Sequence, residues 1–173
     1  MKKPIILTVI LAAVVMSLFV SGQDFTYVGA TKCQICHKTE KQGQQYPIWE
    51  MSNHPKSFAA LASPQAAANA QALGIKDPTN DPKCLKCHAP LADKAAELKA
   101  EGMSCEVCHG PGSAYKTLAI MKNKDEAVKN GLKLYANADA IKAHCLTCHE
   151  NAHGKSFDFN AAWAKIKHPI PGK

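Results

Sequence analysis

Apolar residues along this chain fall into one long run and then a series of short, punctuated pieces. The run, residues 4–20, follows Lys2 and Lys3 and closes on Val20-Ser21-Gly22. A charged start, an apolar stretch and small residues before Gln23 make a secretory signal over residues 1–22. An uncleaved anchor is the competing reading, since the run lies near the lower length limit of a spanning helix. No cysteine precedes Cys33 and the chain holds no arginine. That leaves neither a lipoprotein anchor nor a twin-arginine signal, and points to the general secretory route. Residues 23–173 are then enough for one domain and too few for several.

Within that domain apolar positions recur at helical spacing and nowhere in convincing strand alternation, so the expected fold class is mainly α, with little or no β. Ser63-Pro64 predicts a helix start, with proline in the first turn, that Gly74 can close. Asp77-Pro78-Thr79-Asn80-Asp81-Pro82 predicts a loop. Further helices are expected over residues 92–101, stopped by Gly102, and after Gly112 through Lys122. Two more are expected over residues 125–130 and 160–167. In the last of these Trp163 and Ile166 share an apolar face, and Pro169 and Pro171 end it. With aromatics at 6% of residues and elements this short, side chains alone make a meagre core.

The cysteines change the picture. Eight of them in an exported chain would ordinarily be a disulfide framework. Here they fall only in pairs with two residues between, and a histidine follows each pair directly. The four motifs are Cys33-Gln34-Ile35-Cys36-His37, Cys84-Leu85-Lys86-Cys87-His88, Cys105-Glu106-Val107-Cys108-His109 and Cys145-Leu146-Thr147-Cys148-His149. Thiols three positions apart on one helical turn can form thioethers to both vinyl groups of one haem, and the next imidazole then reaches the iron from the same side. Thiolate zinc sites or redox dithiols would use the cysteine pairs, but neither requires the histidine. The pattern implies four haem c groups with His37, His88, His109 and His149 as proximal ligands, attached outside the cytoplasm.

Haem also accounts for the core and the charge. Four macrocycles supply apolar surface worth about 25 cal/mol per Å² buried. The formal charge of +7, or +5 without Lys2 and Lys3, would otherwise suggest nucleic acid or a membrane surface. Eight propionates and four ferric centres bring it to about +1 oxidised and about −3 reduced. The lysines are therefore mostly counter-charge, and no nucleic-acid partner is expected.

Four further histidines, His54, His144, His153 and His168, equal the motif histidines in number. Axial Cα atoms lie roughly 12 Å apart, whereas four helical residues span about 6 Å. His153, four residues after His149, and His144, five before it, would therefore serve other haems or sit on the surface. His54 and His168, seventeen and nineteen residues beyond a motif histidine, are the favoured distal ligands. Trp49, Phe58, Phe157, Phe159 and Trp163 are the expected packing aromatics. Gly110-Pro111-Gly112 is expected to be the place where a second haem stacks against the third motif, with an ordinary tight turn as the alternative.

These residues have a familiar arrangement. Tyr27-Val28-Gly29-Ala30 before the first motif, Trp49 with His54 and Phe58 after it, residues 105–113 with their Gly-Pro-Gly, and Phe157-Asp158-Phe159 leading to Lys167-His168-Pro169 together resemble the tetrahaem cytochrome c-554 family. The resemblance implies a helical fold wrapped round four haems in close pairs. It implies His54 as distal ligand to the His109 haem and His168 to the His149 haem. It leaves the His88 haem five-coordinate and high-spin. In the family the first haem takes its distal histidine from the helix after the third motif, yet residues 113–143 contain none here. Met121, on that expected helix, would give the His37 haem a thioether ligand and a higher potential, unless it is a core methionine. His144, His153 or a histidine of another copy are the remaining candidates.

The leading expectation is a carrier, periplasmic or on the cell surface, that passes electrons between redox proteins. A membrane-associated quinol oxidase or another multihaem protein is among the conceivable partners. No nucleotide loop, second metal motif or Ser-His-Asp arrangement suggests other chemistry. Two alternatives stay open: reduction of a small nitrogen oxide such as nitric oxide at the His88 iron, and homo-oligomerisation into a haem-lined filament.

Overall fold

The computed structural model describes residues 24–170, so the signal expected over residues 1–22 and the stop expected at Pro171 lie outside the described residues. Among the described residues every regular element is helical. In chain order these are α1 (Ala30–His37), α2 (Gln45–Met51), α3 (Pro64–Ala72), α4 (Pro82–His88), α5 (Cys105–His109), α6 (Leu118–Met121), α7 (Lys124–Lys129), α8 (Ala138–His149) and α9 (Phe159–Ile166). Short 3₁₀ turns join several of them. No helix among the described residues is long and apolar enough to cross a membrane.

The helices begin where short polar side chains can cap them. Ser63 Oγ accepts from Ala66 N–H at 3.2 Å with Pro64 in the first turn, and Asp81 accepts from Lys83 N–H at 2.8 Å ahead of Pro82. Asn123, Asn137 and Asp158 cap α7, α8 and α9 in the same way. Each such cap is worth about 1 kcal/mol, which matters for pieces too short to hold a helix alone.

Two expected helices are shorter than their sequence pattern. Residues 92–101 form turns followed by a 3₁₀ helix at Ala96–Glu101, because the chain folds back over Leu91. Ala95, at φ −151° and ψ 79°, is neither helical nor extended; it is buried, as is the Leu91 side chain beneath the turn. After Gly112 the chain makes turns and reaches α-helix only at Leu118–Met121. Conversely, α2 and the long α8 were not evident from the sequence. In α8 the cap is Asn137, and the helix runs unbroken into the fourth motif.

All four Cys-x-x-Cys-His motifs occupy the C-terminal end of a helix: α1, α4, α5 and α8 each finish on the motif histidine. The helical turn therefore sets both thiols of each pair on one side. Around them the polypeptide core is thin. Its buried apolar members are five alanines with Tyr46, Leu61, Ile75, Leu91 and Tyr115, and the largest completely buried side chain is Glu106.

Candidate haem-binding site

All eight motif cysteines are free, so the disulfide reading of the cysteine count has no support. Nor do the thiols resemble a redox dithiol, which needs a depressed pKa. Burial pushes Cys84 and Cys145 up, and burial carries Cys87 and Cys108 each to about 11. The exception is Cys33, which a hydrogen bond with Cys105 lowers while raising its partner. Among the described residues no three His, Cys, Asp or Glu side chains gather as a metal cage.

The motifs touch in a definite order. The Cys33–Cys105 contact joins the first to the third, with α1 packed on α5. The third meets the fourth where His144 Nε2 lies 3.6 Å from Cys108 Sγ and Cys145 faces the same thiol. The fourth meets the second where Cys148 approaches Cys87 and lies 3.9 Å from the Lys86 carbonyl, with α4 on α8. The sequence order one to four thus becomes first, third, fourth, second in space.

Three of the motif histidines are faced by another imidazole. Ring centres are 6.4 Å apart for His54 and His149, 6.0 Å for His88 and His153, and 5.8 Å for His109 and His168. Two iron–nitrogen bonds of about 2 Å plus about 1 Å from each nitrogen to its ring centre make roughly 6 Å, so these pairs stand at the separation that one iron between two imidazoles requires. Metal binding needs the neutral ring, and burial favours it. Burial first, then His168 and His37, bring His109 to about 4. Burial also lowers His54, His149 and His168.

This pairing differs from the one that the family resemblance implied. His54 faces His149, not His109, and His168 faces His109, not His149. His88, expected to have an open far side, has His153 across from it. Asn151 and His153, both at positive φ, bend the chain directly after α8. That turn frees His153 from the helical spacing to His149 and lets it reach the neighbouring motif. His144 faces no motif histidine; its ring packs on Tyr135 at 5.3 Å beside the Cys108 thiol. Met121 closes α6, whose packing is against α7.

Backbone and side-chain acceptors hold two of the motif rings. The Ser57 carbonyl accepts from His88 Nδ1–H at 2.8 Å, and Gln45 Oε1 accepts from His37 Nδ1–H at 3.2 Å. Both leave Nε2 free for iron, the usual outer-shell arrangement of a metal-binding histidine. The Nδ1 of His168 is buried with no hydrogen-bond partner, an orphaned polar atom on a ring that faces a motif histidine. Paired neutral imidazoles, adjacent thiols on helix ends and a core short of apolar side chains are what covalent haem would fit.

Two buried acids brace this arrangement. Glu106, inside the third motif, accepts from the backbone of Val28, Gly29 and Gly112, while Glu101 accepts from Ala30 N–H and Ser104 Oγ–H. They fasten the lead into α1 onto α5 and the 3₁₀ turn before it. An acid between two cysteines that must be covered was the available signal for Glu106. Gly110 does permit a close approach, but the neighbour is polypeptide: a Cβ there would run into the Gly131 carbonyl. Of the expected packing aromatics, Phe157 stacks on His149 at 4.6 Å, Phe159 on Trp163 at 6.3 Å, and Trp49 Nε1–H donates to the Met103 carbonyl at 2.8 Å. Phe58 lies under Lys99 Nζ at 5.1 Å.

Residues 32–110, from α1 through α5 with the first three motifs, match the family model described as cytochrome c554 and c-prime. No curated protein and no solved structure matches the chain.

Proposed function

We propose that this chain, whose residues 32–110 match the family model described as cytochrome c554 and c-prime, is a four-haem electron carrier with covalently bound haem c that works between two redox proteins outside the cytoplasm. The observation that carries this reading is the spacing of the three imidazole pairs, between 5.8 and 6.4 Å. A haem held on both sides by neutral imidazole exchanges electrons without gaining or losing a ligand, and that suits transfer rather than bond-making.

The contacts between motifs supply the route. Electrons pass from the haem on His37 to those on His109, His149 and His88, because each of these motifs touches the next. The two ends, His37 and His88, are where donor and acceptor proteins dock. Attachment of haem to exported apoprotein makes the periplasm or the cell surface the place of work, and a membrane-associated quinol oxidase or a multihaem protein a fitting partner. His153 across from the His88 ring speaks against the alternative of nitrogen oxide reduction there.

Intact mass of the exported protein, followed by coulometric reduction, tests the proposal. The expected result is the processed polypeptide plus four haem masses and four electrons taken up per chain. A bare polypeptide mass, fewer haems or pigment released by denaturant would overturn it.

A further inference from the structure

We infer that Gln45 is the positioning residue of the first haem site: its side-chain amide fixes His37 with the ring proton on Nδ1, sets how strongly that imidazole donates to iron, and is itself anchored on the carbonyl of Pro169, beside His168. This rests on the haem reading above and adds to it the residue that sets the potential at the first-motif end of the series.

Hydrogen-bond accounting fixes the orientation of the amide. Gln45 Nε2 lies against two main-chain carbonyls, those of Gln42 and, at 3.0 Å, Pro169. Carbonyls only accept, so this end is the NH2 group and both of its hydrogens are used. Oε1, at the other end, can only accept, and its partner at 3.2 Å is His37 Nδ1. The ring therefore carries its proton on Nδ1 and keeps the lone pair of Nε2 bare.

The chain is shaped to hold that amide. Gly43 at φ +94° and Gln44 at φ +51° turn the backbone between α1 and α2, which pack on each other. Left-handed backbone at a glutamine is costly and persists only where its surroundings fix it. A Cβ on Gly43 would come within 2.7 Å of Gln45 Nε2 and 2.9 Å of the Pro169 oxygen, so glycine is what leaves room for the amide there. Through the Pro169 carbonyl the same side chain links the first motif to the segment whose His168 faces His109. An acceptor on Nδ1–H raises the basicity of the ring, and a more basic axial ligand favours ferric over ferrous iron.

The experiment is a spectroelectrochemical titration of the haem-loaded protein, with the peptide carrying Cys33 and Cys36 weighed to confirm haem on the first motif. A haem missing elsewhere then counts against the four-haem reading alone, and the first-motif potential is still measured. Gln45→Leu, which has no acceptor, should raise the potential of one haem, and Gly43→Ala, which displaces the amide, should raise the same one. Gln45→Glu, whose carboxylate accepts more strongly, should lower it. Gln42→Glu, an equal charge on an exposed neighbour, should leave it in place. A packing role alone would move the Leu and Glu variants alike. Unchanged potentials in Gln45→Leu, shifts of one sign in Gln45→Leu and Gln45→Glu, or an equal fall in Gln42→Glu would each overturn the inference. So would a bare first-motif peptide in the parent.

Discussion

The Ser57 carbonyl oxygen sits 2.8 Å from His88 Nδ1, and the Ser57 hydroxyl lies 2.8 Å from the carbonyls of both His88 and His54. One residue thus orients a motif imidazole and ties the loop of a distal candidate to it. Its hydroxyl also accepts from Met103 N–H at 3.0 Å, at the lead into the third motif.

Ser57→Ala keeps the carbonyl but removes the hydroxyl. Because Met103 N–H retains the His54 carbonyl as a second acceptor, the cost should be modest, about 1 kcal/mol. The denaturation midpoint should fall while the haem spectrum is unchanged. A spectrum that shifts would mean that the hydroxyl, and not the carbonyl, positions the ring.

Glu106 carries more. Its carboxylate is the acceptor for three backbone N–H groups in a site 1% exposed, and each donor left unpaired costs about 1–3 kcal/mol. Glu106→Ala should be unstable enough to reduce yield, and Glu106→Gln should unfold at lower denaturant than the parent, with haem content intact. Equal midpoints for parent and Glu106→Gln would show that this brace contributes nothing.

Without haem the chain should lose most of its helix. Its described core is largely alanine, and its nine helices among the described residues span four to twelve residues each, below the length at which helices persist unaided. Far-ultraviolet circular dichroism of a chain with all eight motif cysteines changed to serine checks this; a parent-like spectrum would place the folding energy in the polypeptide.

Acid should destabilise the fold. Burial holds His109 at about 4 against an ordinary value of 6.5, so between those values the unfolded chain binds more protons than the folded one. Stability therefore rises with pH across that window, is complete above it, and is lost as pH falls through it. Iron on the ring acts in the same direction, since proton and metal compete for one nitrogen. Melting temperature followed from pH 7 down to pH 4 should decrease; an increase would contradict the burial of a neutral ring.

What the linear order of residues determined by itself was local. Eight cysteines three apart in pairs, each pair followed by histidine, make a haem-attachment pattern because both thiols and the imidazole lie within one helical turn. Ser63-Pro64 likewise announces its helix through a bond to a nearby N–H group. The tertiary structure alone decided which imidazole faces which. A distal ring must cross a macrocycle, and that depends on how separate helix ends are juxtaposed. His54 meets His149, His168 meets His109, and a left-handed turn at His153 carries it to His88, all through contacts distant in the chain or created by a bend that helical spacing does not foresee. The same reason hid Ser57, Gln45 and Glu106, whose partners come together only when the motifs have packed in the order first, third, fourth, second.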